Sequence, residues 1–305
     1  MTSPIVFICG ATGTQGGALA HHLLKKGVEI HAITRNLQSD AAQKLQSQGA
    51  FLAEGDFNNE SILEKSMTNC NTLFLNLLPN PFSPTDEIEE AKQIISLAKR
   101  AGIKHLIYSA GLGTDQPERL RHWNPSSPIA QVLLAKQTVV NEVKKAGFEH
   151  WTILRPGNFM SNFLDPFVRM YPGLAETGKF TTVFTPETIL PMVDPNDIGQ
   201  FAAAAVLDPV RFDQKEVVIA SQTMGVDTIM QELSRATGKE IKAIYLSEKE
   251  VNEQIPQNPL LGAQLLLLDA SQFVDMEEVK GWNIDLGSFS QFLEREKERV
   301  QATYL

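Results

Sequence analysis

The stretch from Ile5 to Gly17 constrains this chain more than any other. It reads Ile-Val-Phe-Ile-Cys-Gly-Ala-Thr-Gly-Thr-Gln-Gly-Gly, an apolar run that breaks into spaced glycines. The run from Ile5 to Cys9 suits a strand buried on both faces of a parallel sheet. Gly10 permits a tight turn, Gly13 lets backbone approach a pyrophosphate, and Gly16 lets the next helix pack close to the strand. A helix predicted over residues 15–26 aims its N-terminal N–H groups and its dipole at the phosphates. A glycine triplet alone is a weak signal. Its place between a predicted strand and a predicted helix is the context that dinucleotide binding requires.

The same alternation continues. Strands are predicted at 29–34, 50–54, 72–76, 104–109 and 151–154, with helices at 40–48, 59–67, 85–101 and 129–146 between them. Asn58 or Asn59 caps the helix at 59–67. A proline-rich loop covers 79–84, and a long loop covers 110–128. Strands alternating with helices at this spacing give an α/β fold with a doubly wound parallel Rossmann sheet over residues 1–158. Beyond Arg155 the rhythm changes. Prolines at 166, 172, 186, 191 and 195 break the chain into short pieces, and aromatic residues become denser. Residues 159–305 are expected to form a smaller mixed α/β lobe, from which a helix at 197–207 returns to the first domain. Within it, strands are expected at 217–220 and 241–245, and helices near 227–236, 247–254 and 286–302.

Composition narrows the function. The 305 residues suffice for a full core, and the formal net charge is −9 with no block of lysine or arginine. That balance argues against nucleic acid and anionic lipid as partners. There are two cysteines, Cys9 and Cys70, with no CxxC or Cys/His cluster. Neither a disulfide framework nor a structural zinc site is expected, and a reducing compartment fits. The histidines show no ligand spacing, so no metal is expected. The N-terminus lacks a basic region followed by a long apolar one, and the apolar segment at 262–268 is too short to span a bilayer. The expectation is a soluble, cytoplasmic protein, with the nucleus as a second location.

The end of the second strand bears on the nucleotide. NAD binding usually places a carboxylate there to hold the adenine ribose 2′-hydroxyl. Here Thr34, Arg35 and Asn36 stand instead, and Arg35 offers a planar fork to a 2′-phosphate. NADP(H) is therefore the expected cofactor. Asp56 and Phe57 end the third strand, where a carboxylate can accept from the adenine amino group and an aromatic ring can flank it. Asp56 can equally cap the next helix, and both readings stand. Asn76, Leu77 and Leu78 end the fourth strand, where backbone would meet adenosine or pyrophosphate.

These residues together resemble the NmrA-like family, an atypical branch of the short-chain dehydrogenase/reductase superfamily. The resemblance covers about residues 4–210. It rests on Gly10-Ala-Thr-Gly-Thr-Gln-Gly-Gly17, Thr34-Arg35-Asn36, Gly55-Asp56, Tyr108-Ser109-Ala110, Thr152-Ile-Leu-Arg-Pro-Gly-Asn-Phe-Met160 and Val193-Asp-Pro-Asn-Asp-Ile-Gly199. It implies an NADP(H)-binding Rossmann domain with a small C-terminal lobe. It also implies dinucleotide contacts from the glycine loop (Gly10, Thr12, Gly13, Thr14, Gln15 and Gly16), Arg35 and Asn36, Asp56 and Phe57, and Asn76 to Leu78. Lys136 and the loop of Pro156, Gly157, Asn158 and Phe159 complete the implied set. Family members include NADPH-dependent reductases of quinones, aromatic alkenes or imines, and sensors of NADP(H) that bind regulatory proteins.

The superfamily's usual chemistry pairs a tyrosine with a lysine four residues later on one helical face. Lys136 matches the lysine, and Val132 occupies the tyrosine position. Ser109 matches the superfamily's hydroxyl donor. Hydride transfer to an activated alkene, quinone or iminium depends mainly on placing the acceptor against the nicotinamide, with a proton from Lys136, a histidine such as His122, or water. Phe159, Phe163, Trp123 and Phe82 would wall a flat substrate, or serve as core packing. Two functions follow: an NADPH-dependent reductase of a small aromatic or conjugated molecule, or a non-catalytic NADP(H) sensor that regulates a partner protein.

Overall fold

The opening run folds as β1 (Ile5–Ile8) followed by α1 (Thr14–Leu24) in the computed structural model, which describes residues 3–80, 83–255 and 258–305. The alternation continues with β2 (Glu29–Thr34), α2 (Asp40–Ser47), β3 (Phe51–Glu54), α3 (Glu60–Ser66) and β4 (Thr72–Leu75). It closes with α4 (Pro84–Arg100), β5 (His105–Ser109), α5 (Pro128–Lys145) and β6 (His150–Pro156). Helix starts follow local side-chain chemistry. Ser39 accepts from Ala42 N at the head of α2, Asn59 from Ile62 N at α3, and Ser127 from Ala130 N at α5, where Pro128 takes the first turn.

Next come β7 (Asn158–Phe159), α6 (Leu174–Thr177), β8 (Lys179–Thr182), β9 (Ile189–Val193), α7 (Pro195–Leu207), β10 (Lys215–Ile219) and β11 (Gln222–Gly225). The chain ends with α8 (Val226–Thr237), β12 (Lys242–Tyr245), α9 (Glu248–Gln254), α10 (Pro259–Leu267), α11 (Met276–Gly281), α12 (Phe289–Arg295) and α13 (Lys297–Tyr304). The helix expected at 286–302 is two helices that meet at Glu296.

Among the described residues the main sheet has the order β10-β6-β5-β4-β1-β2-β3. The pairs from β3 through β6 are all parallel. This is the doubly wound arrangement. Chain order reverses between β1 and β4, and ligands of such sheets bind in the crevice outside that reversal. The strand expected at 217–220 in the C-terminal lobe instead begins at Lys215 and extends the main sheet beside β6. Smaller sheets have the orders β11-β9-β7 and β12-β8.

The chain separates into two compact units. One comprises Met1–Asp115, Pro125–Arg155 and Ile198–Val217, and the other Gln116–Asn124, Pro156–Asp197 and Val218–Leu305. In the first, Phe7, Leu73, Leu75, Leu106 and Tyr108 of the sheet pack on Ala91 and Ile94 of α4 and on Val139 and Val143 of α5. α7 lies against α1 at Gly199, where a Cβ would stand 2.6 Å from the backbone carbon of Ala18. The second unit closes over Phe163, Phe180, Phe289, Leu190, Met192 and Ile229.

Candidate functional site

The turn after β1 is built by two glycines for different reasons. Gly10 has a φ of +68°, the left-handed region that a side chain disfavours. Gly16 faces the turn so closely that a Cβ there would lie 2.3 Å from the Gly10 carbonyl oxygen. Gly13 is exposed, and it donates its N–H to Gly10 O at 2.9 Å. It is the N-cap of α1, with no side chain capping the helix and no acidic residue in its first turn. The first-turn N–H groups and the helix dipole thus lie open beside a backbone stripped of side chains. This cradle fits a pyrophosphate, and a Cβ on Gly13 would press on the Gly10 carbonyl oxygen at 3.3 Å.

Three further expected residues meet at the same end of the sheet. Gln15 Nε2 donates to Asn76 Oδ1 at 3.0 Å, and Ser109 Oγ donates to Gln15 Oε1 at 2.6 Å. A polar chain therefore joins the C-terminal ends of β4 and β5 through the first turn of α1. It commits the Ser109 proton to Gln15 and leaves the hydroxyl oxygen as an acceptor. Cys9 closes the apolar side of the turn. Burial pushes its thiol up to about 12, against a lowering backbone hydrogen bond at Asn76, so it is no nucleophile at neutral pH.

Lys136 belongs to a second polar cluster. Its Nζ donates to Glu87 Oε1 at 2.8 Å, and the Tyr108 hydroxyl donates to the same oxygen at 3.0 Å. The side chains of Lys136 and Glu87 are only 12% and 1% exposed. Burial, with the Glu87 carboxylate second, raises the Tyr108 phenol well above its ordinary value. Neighbours on β5 thus reach different partners, Tyr108 to α4 and Ser109 to α1. Val132, one turn before Lys136, is buried and apolar. Glu87 is the residue that sequence reading missed. Its signal was present: Glu87, Ala91, Ile94, Ile95 and Ala98 share the buried face of α4, so a carboxylate occupies a core-facing position.

The adenosine-side residues lie on the β2, β3 and β4 ends. Arg35 is exposed and makes no ion pair or side-chain hydrogen bond among the described residues. Asn36 shapes the same turn, its Oδ1 accepting from Gln38 N at 2.8 Å. Asp56 Oδ1 accepts from Asn58 N at 3.0 Å, so it turns the chain into α3, while the cap itself is Asn59. Phe57 is half-buried against the first unit's core. Leu77 is buried in that core, whereas Leu78 is 85% exposed at the loop after β4.

Other expected residues fall in the second unit. Pro156 ends β6 and is buried. Gly157 has a packing reason: a Cβ there would meet the Pro191 carbonyl oxygen at 2.4 Å, where β7 runs beside β9. Asn158 and Phe159 are half-buried in β7, and Asn158 Nδ2 points to Met192 Sδ at 3.5 Å. Phe163 is core rather than a substrate wall. It is 1% exposed and packs on Tyr171, Phe180 and Phe289 at ring separations of 5.6 to 6.0 Å. His122 is exposed and Trp123 half-buried in the loop that follows the Pro117–Arg119 turn. Phe82 lies outside the described residues. Among the described residues no cluster of His, Cys, Asp or Glu is placed to hold a metal ion, and no helix is long and apolar enough to cross a membrane.

The family model described as the NmrA-like family matches residues 2–291, and the chain belongs to that family. The NmrA-like family domain-containing oxidoreductase himF of Aspergillus japonicus is 29% identical over 257 residues, covering 80% of this chain and 76% of its own length. The structure of a triphenylmethane reductase from Citrobacter sp. superposes with a TM-score of 0.71 at 23% identity, covering 96% of this chain and 99% of that one. The structure of NmrA, a negative transcriptional regulator, in complex with NAD superposes with a TM-score of 0.69 at 18% identity, covering 100% and 96%. At these identities the two structures establish a common fold.

Proposed function

We propose that this member of the NmrA-like family binds NADP(H) in its first unit and reduces a small aromatic or conjugated acceptor, such as a quinone, an enone or an imine. The observation that carries the reading is the open glycine turn at the head of α1, joined to the Asn76–Gln15–Ser109 chain at the sheet reversal. Gly10, Thr12, Gly13, Thr14, Gln15 and Gly16 would hold the pyrophosphate, and Arg35 with Asn36 the 2′-phosphate. Asp56 and Phe57 would serve the adenine, Asn76 to Leu78 the adenosine side, and Lys136 the nicotinamide ribose. The bound nucleotide supplies a hydride. Ser109, held by Gln15, orients polar groups at the sheet end. Proton delivery falls to Lys136 or water, because Val132 has no proton to give. The oxidoreductase name of the Aspergillus relative and the reductase activity of the Citrobacter enzyme support this class.

NADPH absorbance, followed over time with purified protein and a panel of quinones, enones and cyclic imines, tests the reading. Acceptor-dependent loss that disappears in folded Lys136→Met supports it. Tight NADPH binding with no loss against any acceptor overturns it in favour of the second reading. That reading is an NADP(H) sensor for a regulatory protein, favoured by the buried Val132 and by the regulator among the structural relatives.

A further inference from the structure

We propose that Glu87 is the positioning residue for Lys136, supplying from α4 the polar anchor that α5 does not offer at Val132. The proposal rests on the reading that Lys136 contacts the bound nucleotide. Three elements converge on one carboxylate oxygen: α5 through Lys136, β5 through Tyr108 and α4 through Glu87 itself. The lysine stem passes beneath the backbone leaving β5, its Cδ 3.9 Å from where a Cβ of Gly111 would lie. Its ammonium stands 6.0 Å from the centre of the Tyr108 ring.

A charge pair this well buried is a poor device for stability alone. Desolvation offsets most of the attraction, and an apolar pair of similar volume commonly serves as well. What the arrangement does provide is direction. Glu87 takes one of the three ammonium hydrogens, and Tyr108 fixes the carboxylate. The remaining two hydrogens then point away from Glu87, free to meet ribose hydroxyls. Glu87 also sits in the first turn of α4, where the helix dipole favours a carboxylate without a further side chain. Glu87 itself is too buried to touch the nucleotide, so it acts through Lys136.

A double-mutant cycle on NADPH affinity tests this, using Glu87→Gln, Lys136→Met and the double variant, each titrated by NADPH fluorescence. With Lys136 present, Glu87→Gln is expected to raise the dissociation constant roughly tenfold, the worth of an oriented charge-assisted hydrogen bond. In the Lys136→Met background the same change is expected to alter it by less than about twofold. A charge effect alone would act in the opposite direction, because removing a carboxylate near a polyanion tightens its binding. Equal factors in both backgrounds, or tighter binding with Lys136 present, overturn the proposal. If Lys136→Met itself leaves NADPH affinity unchanged, the underlying reading of Lys136 fails, and the proposal falls with it. Should Glu87→Gln not fold, Glu87→Asp in the same two backgrounds gives the same comparison, since it keeps the charge and withdraws it by one methylene. The ammonium NMR signal lost in Lys136→Met gives a further readout. It is expected to move on NADP+ addition in the parent protein and to broaden beyond detection in Glu87→Gln. A signal unaffected by Glu87→Gln overturns the proposal.

Discussion

Arg35 shows how much a single side chain decides. It is exposed at the end of β2, in a turn shaped by Asn36, with no competing carboxylate pairing it among the described residues. A planar guanidinium there matches a phosphate far better than a hydroxyl. Arg35→Ala is therefore expected to raise the NADPH dissociation constant roughly tenfold or more while NADH changes by less than about threefold. Equal losses for both nucleotides would remove the 2′-phosphate role. Most of the residues that build the turn were readable because their reasons are local. Gly10 needs its φ and Gly16 its closeness to the turn, and each follows from a strand that must give way at once to a helix. Ser109 and Gln15 were readable as candidates, but not as partners, because they lie far apart in the chain and only the sheet brings them to 2.6 Å.

Elements show a sharper boundary between what was legible and what was not. Strands and helices through β6 follow the expected alternation because their apolar periodicity and the turn residues between them are local signals. The stretch after Arg155 holds β8 and β9, which were missed. β9 reads Ile-Leu-Pro-Met-Val, and a proline inside a short run argues against a strand until its partners β7 and β11 are known. The motif from Val193 to Gly199 turns out to be a clasp. Asp194 takes two hydrogen bonds from Arg295 at 2.7 and 2.8 Å, and Asp197 accepts from Ser221 Oγ and Gly287 N. The loop bearing His122 and Trp123 is tied in the same unit. Arg121 N donates to the Asp269 carboxylate at 3.2 Å, and the Arg119 guanidinium lies 5.2 Å from the Phe273 ring. Releasing that tie with Asp269→Ala is expected to speed tryptic cleavage after Arg119 and Arg121 roughly tenfold under native conditions. An unchanged cleavage rate would mean that the loop is held elsewhere.

Stability of the whole chain carries a pH signature that no motif announced. His105 is buried at the start of β5, with Nε2 3.3 Å from Thr152 Oγ1 and its ring 6.0 Å from that of His150. Burial first, and His150 second, lower it from its ordinary 6.5 to about 4, against an opposing pull from Asp213. The unfolded chain therefore binds more protons between those values, and folding loses stability as pH falls through them. From pH 7 to pH 5 this one residue should remove about 2 kcal/mol. Urea unfolding of the parent and of His105→Gln at both pH values checks it, and an identical pH dependence in the two would refute it. The doubly wound sheet, its glycine turn and the Arg35 position were all legible in the residues, since periodicity and backbone permission act over a few positions. The Glu87–Lys136–Tyr108 junction, the burial of Phe163, the addition of β10 to the main sheet and the clasp at Asp194 depend on contacts between residues far apart in the chain. Such contacts are decided by which faces pack, and no local pattern of side chains encodes that.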